Sequence, residues 1–216
     1  MADLPRQLTA PPHAAAHLLQ YHDLIESIVS ALDARDTYTA SHSNRVADMV
    51  LVLAAALGLD PDETALIHIA AHLHDIGKIA VPDAVLRKTG PLTADEWQEM
   101  RRHPVTGYNI LRRVADFQDI AVLVLHHHER WDGRGYPDGL SGDRIPISAQ
   151  VVSMADVYDA LVSRRVYKDA YTPEQAMEMI RDGQCGVFNP VLVQCLTDIQ
   201  DALRTEVYAG NGQPAS

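Results

Sequence analysis

The sequence has few cysteines and no long apolar run. Cys185 and Cys195 are the two cysteines of the chain. That number is too small for a disulfide framework and favours a reducing compartment. Neither lies in a CxxC pattern, so we expect ordinary buried residues rather than metal ligands. No stretch reaches the roughly 18 apolar residues of a membrane span, and the N-terminus lacks the basic-then-apolar pattern of a signal peptide. We therefore expect a soluble, cytoplasmic protein without a membrane segment.

Positive charge is also scarce, and this limits the class of partner. The chain has 18 lysines and arginines against 29 aspartates and glutamates, a formal net charge of −11. DNA and RNA polymers are bound by basic stripes, so they are not expected as partners. An anionic small molecule would need a local source of positive charge, such as bound divalent metals. Eleven histidines, several of them beside aspartates, point to such metals.

Runs of alternating polar and apolar residues, which are typical of strands, are missing, and the apolar spacing is helical almost throughout. Thr93 with Glu96 forms a capping-box pattern, and proline follows a helix-starting residue at several positions. The segment "RWDGRGYPDGL" (130–140) has three glycines and a proline and predicts an irregular loop. We predict an all-α protein of one domain over 19–209, between a flexible tail over 1–18 and a C-terminal tail over 210–216. Helices are predicted over 19–34, 41–57, 61–79, 116–129 and 147–163, at 93 and 103 onward, and from 172 and 189 onward.

Seven histidines and aspartates from five segments fall in or beside these apolar helices. Burying polar and charged groups is costly unless they are paired or bind a metal, and the interior of a helical bundle is where metal sites are built. Imidazole and carboxylate ligands suit iron, manganese, zinc or nickel more than calcium. Asp75 could bridge two metals, and Lys78, three residues further on, could contact a phosphate oxygen. The candidates are His42, His74, Asp75, His103, His127, His128 and Asp156.

Several histidines also have simpler interpretations. His42 alone could be a capping or surface residue, and His103 could be an N-cap neighbour of its proline. His68 and His72, four residues apart, resemble half of a zinc-protease motif, but "HIAAH" lacks the glutamate, so we interpret both as structural. His22 lies near the N-terminal tail, and we assign it no role.

Three motifs carry a family resemblance. "HDIGK" (74–78), "HHERWDGRGYP" (127–137) and "ADVYDAL" (155–161) resemble the HD-GYP domain, a branch of the HD phosphohydrolase superfamily, and further segments match in the same order over about 19–205. The "HHExxDGxGYP" pattern is far more specific than HD alone. The resemblance implies an all-helical bundle of the HD-domain type with a C-terminal GYP loop and helices. It also implies a phosphodiesterase that hydrolyses cyclic di-GMP at a metal site, usually of iron or manganese.

Carried over by position, the resemblance implies roles for individual residues. The seven candidates match the metal ligands, with Asp75 as the bridging carboxylate and His74, Asp75 and Lys78 at the catalytic centre. Glu129 and Asp132 are expected to fix the loop. The residues matching substrate-binding positions are Lys78, Gly135, Tyr136, Pro137, Arg165, Lys168 and, near the metals, Asp36.

Two departures from the family pattern affect these expectations. Some relatives have a glutamate that joins a third metal where this chain has Tyr38, and tyrosine is a poor ligand at neutral pH. We therefore predict two divalent metals, iron or manganese, with zinc and nickel as alternatives. The usual "RPYR" reads "RVYK" at 165–168, and lysine cannot make the bidentate phosphate contact of arginine.

The expected reaction is hydrolysis of cyclic di-GMP to linear pGpG, with further cleavage to GMP left open. Two metals about 3.5–4 Å apart would generate a bridging hydroxide as nucleophile. The first alternative is a catalytically weak module that binds metal and cyclic di-GMP and signals through a protein partner. The second is a phosphohydrolase for another cyclic dinucleotide. A regulatory partner protein is also expected, as is a homodimer through the N-terminal helix, whose apolar residues are Leu24, Ile25, Ile28, Val29 and Leu32.

Overall fold

The computed structural model of the protein describes residues 20–35, 42–163 and 170–208. Both predicted tails lie outside these ranges. Within them every regular element is a helix, as the sequence predicts. The α-helices are α1 (His22–Asp33), α2 (His42–Leu57), α3 (Pro61–Leu73), α4 (Asp83–Leu86), α5 (Ala94–Met100), α6 (His103–Leu111), α7 (Gln118–His126), α8 (Ile147–Val162), α9 (Pro173–Arg181), α10 (Pro190–Asp198) and α11 (Gln200–Glu206). Short 3₁₀ turns occupy Ile76–Ala80, Ala115–Phe117 and Gly142–Arg144.

The predicted helix starts are confirmed by their caps. Asp60 accepts hydrogen bonds from the backbone amides of Asp62 and Glu63 at the start of α3. Thr93 and Glu96 form the complete capping box that begins α5, and Thr172 and Gln175 do the same for α9. Asn189 caps α10 through the amide of Val191. These side chains satisfy amides that have no partner inside the helix.

The core lies between α2, α3, α7 and α8, with α6 packed against α7. Met49 and Leu53 of α2, Ile67 of α3, Leu123 of α7 and Met154 of α8 are fully buried in it. On α1, Ile25 and Val29 also join this core and Leu32 is buried, whereas Leu24 and Ile28 stay exposed. None of the described helices is long and apolar enough to cross a membrane.

The helix predicted over 61–79 is shorter than expected, and the difference positions the site. α3 ends at Leu73, and the chain continues into the 3₁₀ turn Ile76–Ala80. That turn packs on α6, where a Cβ on Gly77 would collide with the backbone carbonyl of His103. Because glycine has no Cβ, the backbone of the turn can pass this close to the backbone of α6. His74 and Asp75 consequently lie in the junction between the two elements. The helix predicted over 116–129 also ends early, at His126, so His127 and His128 follow it.

Candidate metal centre

All seven predicted ligands come together in the interior, delivered by five segments. They fall into two groups. One donor atom from each of His103, His127 and His128 lies within 4.8 Å of the others, and the same is true of His42, His74 and Asp75. Asp156, from the middle of α8, lies beside the second group. The sequence prediction that these distant segments converge is therefore matched by the geometry.

Asp75 stands between the two groups with one oxygen toward each. Its Oδ1 is 3.4 Å from His103 Nε2, and its Oδ2 is 3.3 Å from His74 Nε2. The side chain is almost fully buried, with 6% of its surface exposed. A carboxylate placed this way can give one oxygen to each of two metals. This is the arrangement that the sequence predicts for a bridging ligand.

Asp156 completes the second group. Its Oδ1 lies 3.2 Å from His42 Nε2 and 4.0 Å from His74 Nε2. In the first group, His103 Nε2 lies 3.4 Å from His127 Nε2. Within each group, the donor atoms thus lie close to one another.

The histidine rings are oriented through their other nitrogen. The Nδ1 atoms of His74, His103 and His127 donate to the carbonyls of Ala71, Met100 and Val124, at 2.7, 2.8 and 2.7 Å. His42 Nδ1 instead donates to Asp159 Oδ2 at 2.7 Å. In all four rings this leaves Nε2 directed at the centre, as metal-ligating histidines require.

The residues fit divalent metals on two observations. His74 Nε2 is fully buried and has no hydrogen-bond partner among the described residues, which is costly unless something else satisfies it. The donor set of imidazoles and carboxylates also suits a divalent transition metal. We infer that His42, His74, Asp75 and Asp156 would hold one ion. His103, His127 and His128 would hold the other, with Asp75 shared.

Protonation in the metal-free protein largely suits this role. Burial lowers the pKa values of His103 and His127, and it lowers the pKa of His128 to about 3. Burial would raise the pKa of Asp75, but the charges of Lys78 and His74 hold it well below its usual range. Neutral imidazoles and an ionised carboxylate are the forms that bind metal.

His42 and His74 differ from the other histidines of the centre. Burial lowers the pKa of each, but at His74 the charge of Asp75 outweighs burial and raises the pKa, and at His42 hydrogen bonds to Asp156 and Asp159 raise it to about 9. The His42 ring is therefore protonated at neutral pH before metal binds. Since a metal takes the neutral ring, metal binding at His42 would release a proton.

A cavity of about 800 Å³ opens over the centre, within the size range of small-molecule sites. His42, Asp75 and Asp156 form part of its floor, and Lys78 and Tyr136 line it. Lys78 Nζ lies 2.6 Å from Asp75 Oδ2, so the ammonium group lies between the ligands and the open space. The Tyr136 ring packs against His128, with ring centroids 4.8 Å apart.

Two acidic residues hold the loop that carries Tyr136. Glu129 is buried and accepts from the amides of Asp138 at 2.7 Å and Leu140 at 3.0 Å. Asp132 accepts from the Arg130 guanidinium at 3.0 and 2.7 Å. At Gly135 a Cβ would lie 2.6 Å from the carbonyl oxygen of His128, so glycine allows the loop to pass close to the ligand segment. Pro137 follows Tyr136 through a cis peptide bond.

Four residues discussed in the sequence lie outside the described ranges: Asp36, Tyr38, Arg165 and Lys168. Other residues at the centre were not predicted. Asp159 is 1% exposed, and it binds both His42 and the Arg45 guanidinium. Its position three residues after Asp156 puts both on one face of α8, a signal the sequence does offer.

The rim of the cavity also holds residues that sequence reasoning missed. The Arg101 guanidinium lies 5.1 Å from the Tyr136 ring centroid and 6.0 Å from that of Trp97. Trp97 lines the cavity and is 50% exposed. The sequence signal for this pair was the spacing in "DEWQEMR", where an arginine follows a tryptophan by four residues, or one helical turn.

The fold and the donor set together define a helical, divalent-metal-binding protein with a His–Asp pair at its centre. A family model described as an HD domain matches residues 23–190. The chain therefore belongs to the HD domain family, and its "HDIGK" and "HHERWDGRGYP" motifs place it in the HD-GYP branch.

Curated relatives agree with this assignment. The chain is 42% identical over 176 residues to the cyclic di-GMP phosphodiesterase response regulator RpfG of Xanthomonas campestris, covering 81% of this chain and 47% of that protein. It is 41% identical over 181 residues to the 3′3′-cGAMP-specific phosphodiesterase 2 of Vibrio cholerae, covering 83% and 35%. A cyclic di-GMP phosphodiesterase of Thermotoga maritima is 37% identical over 195 residues, covering 88% and 53%. The chain thus spans between about a third and about a half of these relatives' length.

Solved structures show the same fold. The HDG"Y"P protein Bd1817 of Bdellovibrio bacteriovorus matches with a TM-score of 0.64 at 22% identity, over 87% of this chain and 61% of that one. The cyclic GMP-AMP phosphodiesterase V-cGAP3 of V. cholerae matches with a TM-score of 0.67 at 19% identity, over 88% and 50%.

Proposed function

We propose that the chain hydrolyses cyclic di-GMP to linear pGpG with two bound divalent metals. The observation that carries the proposal is Asp75, whose two oxygens face two separate histidine groups at the floor of an open cavity. Two relatives of the chain, RpfG and the T. maritima protein, are both named cyclic di-GMP phosphodiesterases and support the choice of substrate.

In the proposed reaction, residues of the chain would hold the metals and bind and orient the substrate. The metals, when bound, supply a Lewis acid that activates water and offsets phosphate charge. Lys78, whose ammonium group borders the cavity, would turn from Asp75 to a phosphoryl oxygen. In the reaction the water oxygen bonds to phosphorus as the bond from phosphorus to O3′ breaks. The second phosphodiester stays intact, which gives pGpG.

The rim would hold a guanine base. Trp97 and Tyr136 present aromatic faces, and the Arg101 guanidinium lies near both. Aromatic faces and guanidinium planes bind nucleobases by stacking, at about 1–3 kcal/mol per base. Gly135 and Pro137 would shape this wall. Phosphate contacts by Arg165 and Lys168, and a role of Asp36 near the metals, remain part of the proposal.

A second candidate substrate is 3′3′-cGAMP. The relative at 41% identity is named a 3′3′-cGAMP-specific phosphodiesterase. The two substrates differ in one purine, so the choice between them depends on the base-binding rim and not on the metal centre. Cyclic di-GMP is preferred because the relative at 42% identity is named for it, as is the one at 37%.

The finer expectations complete the proposal. The metals are iron or manganese, and Cys185 and Cys195, neither of them in a disulfide, suit a cytoplasmic location. A regulatory partner protein and a homodimer through the first helix are also proposed. Leu24 and Ile28 on α1, 60% and 42% exposed, are the residues available for that dimer contact. Light scattering that shows only monomer at high concentration would remove it.

The test is hydrolysis by protein purified without oxygen and reconstituted with Fe(II) or Mn(II), with metals counted on the same sample. Cyclic di-GMP and 3′3′-cGAMP are supplied separately, and chelated protein is the control. Formation of pGpG at about two metals per chain is expected. Faster cleavage of 3′3′-cGAMP would favour the second substrate. Full metal content with bound but intact nucleotide would favour the signalling module.

A further inference from the structure

A second group of histidines lies outside the centre, between α1 and α3. His22 is the first residue of α1, and His68 and His72 lie one turn apart on α3. One ring nitrogen from each lies within 4.8 Å of the others. The ring centroids are 4.7 Å apart for His68 and His72, 5.1 Å for His22 and His72, and 5.5 Å for His22 and His68. None of the three belongs to the metal centre. We refer to them as the α1–α3 histidine cluster.

Of the three histidines in the cluster, His72 is the hardest to explain by packing alone. Its side chain lies in the protein interior, 4% exposed, and neither ring nitrogen has a hydrogen-bond partner among the described residues. A neutral imidazole has one donor and one acceptor nitrogen, and buried polar groups are normally satisfied. Both neighbours that its ring meets edge-on are other histidines of the cluster. His72 thus combines two buried ring nitrogens that lack a hydrogen-bond partner among the described residues with direct ring contacts to two other imidazoles.

His68 repeats the arrangement seen at the metal centre. Its Nδ1 donates to the carbonyl of Ala47 on α2 at 3.2 Å, which leaves Nε2 as the nitrogen with a free lone pair. Burial lowers the pKa of His68, so the ring is neutral at neutral pH. A ring fixed through Nδ1 and neutral at Nε2 is the form in which histidine ligates a metal.

His22 closes the cluster on its solvent side, where 28% of its side chain is exposed, and Glu26 lies one turn further along α1. The Glu26 carboxylate is 3.9 Å from His22 Nδ1. Three histidines with a carboxylate or water in the fourth position form a common tetrahedral zinc donor set. With zinc–nitrogen bonds of about 2.0–2.1 Å, the nitrogens of such a site lie about 3.3 Å apart. Rotation of the partly exposed His22 side chain can bring its ring nitrogen closer to those of His68 and His72.

We propose that His22, His68 and His72 form a separate mononuclear site for a divalent transition metal of the zinc class, with Glu26 or water as the fourth ligand. Neutral imidazoles favour zinc, copper, nickel or cobalt over magnesium or calcium. The site joins the first helix to α3, and α3 ends at Leu73, directly before His74 and Asp75. Metal at this site would thus fix α1 against the helix that delivers the ligand pair of the centre.

The test compares zinc binding by the wild-type chain, His22→Gln and a control variant. His22 is chosen because it is partly exposed, so its replacement is less disruptive to folding than replacement of the buried His72. Ser30→Ala, at an exposed position on the same helix, is the matched control. Each protein is stripped of metal, incubated with zinc and desalted, and zinc per chain is then counted. Thermal midpoints are recorded with and without zinc.

We expect His22→Gln to hold one zinc fewer per chain than the wild type and to lose part of the zinc-induced rise in thermal midpoint. Ser30→Ala should behave as the wild type, and the metal-free midpoints of all three should agree. An unchanged zinc count in His22→Gln overturns the proposal. So does a lowered metal-free midpoint with an unchanged count, which would make the cluster a packing contact. The count needs no turnover, so its outcome is independent of the phosphodiesterase assay.

Discussion

His42 Nδ1 donates a hydrogen bond of 2.7 Å to Asp159 Oδ2, a residue 117 positions later in the chain. The same carboxylate accepts from Arg45 at 2.7 and 2.9 Å, from the Ser163 hydroxyl at 3.0 Å and from the Tyr208 hydroxyl at 3.1 Å. Asp159 therefore connects the first metal ligand in the sequence to α8 and to the C-terminal end of the described chain. Hydrogen bonds from His42 and Arg45 outweigh its burial and lower its pKa to about 2.

Asp159→Asn should weaken both stability and metal binding. The neutral amide cannot balance the Arg45 guanidinium, and loss of one partner of a buried ion pair costs roughly 3 kcal/mol. Asparagine also replaces one of the two acceptor oxygens by an NH₂ donor, so the His42 ring loses its charged partner, and such losses typically lower metal affinity about 10–100-fold. Urea unfolding and a metal titration measure the two effects. Asp143→Asn, at an exposed position, is the control. Wild-type metal affinity in Asp159→Asn would show that this carboxylate does not position His42.

Asp75→Ala should abolish turnover and lower the metal content. The substitution removes a carboxylate that faces both histidine groups, so neither proposed ion keeps its full ligand set. Hydrolysis of cyclic di-GMP and metals per chain are measured on the same preparation. If the metal content stays full and hydrolysis continues, Asp75 is not the bridging ligand.

Gly77→Ala should destabilise the protein through the contact between the 3₁₀ turn and α6. The added methyl group would meet the backbone of His103 and Gly107, and backbone cannot move aside as a flexible side chain can. Overpacking of this kind costs about 1–3 kcal/mol, and a shift of His103 should also reduce metal affinity. Gly90→Ala is the matched stability control, because a Cβ there meets nothing within 4 Å. Equal thermal midpoints for the two variants would mean that the turn does not need its close approach to α6.

Glu63→Gln should change how stability depends on pH. Burial raises the pKa of Glu63. The hydrogen bond from Ser148 lowers it and the charge of Asp60 raises it, and the net result is a pKa above the usual value of a glutamate. Between that value and the folded-state pKa the native protein binds more protons than the unfolded chain. Its stability therefore falls as pH rises through this window. Glutamine does not titrate, so the variant should gain stability relative to the wild type as pH rises through this window.

Urea unfolding of metal-free protein at several pH values measures this difference. Glu206→Gln, at an exposed position, is the matched control. A stability of Glu63→Gln relative to wild type that is independent of pH, or that falls as pH rises, would contradict the assignment.

The sequence predicts the helices well where their ends are chemically marked. Capping boxes at Thr93 and Thr172 need only residues three apart, and their bonds form within a single turn. The end of α3 is not marked in this way. It depends on the contact of Gly77 with α6, which comes from residues far apart in the chain. Periodicity alone continued the helix through His74 and Asp75, and tertiary packing ended it.

The metal centre was predictable in composition but not in its support. The family resemblance predicts His42 as a ligand, yet nothing near it in sequence indicates Asp159 as the partner of its ring. The α1–α3 cluster shows the same limit. His68 and His72 share a helix face and were noticed as a pair, whereas His22 joins them only through the packing of α1 on α3. Spacing finds neighbours within a helix, and it cannot find neighbours across helices.

The rings of His74, His103 and His127 all donate to a carbonyl three residues earlier, at positions 71, 100 and 124. Every amino acid supplies a backbone carbonyl, so replacing those residues leaves the support of these ligands in place. His42 depends instead on the side chain of Asp159, which one base change can remove. The centre is therefore mutationally asymmetric. If the centre holds two ions as proposed, substitutions around it can spare the ion at His103, His127 and His128, while the ion at His42 can be lost by a substitution that touches no ligand.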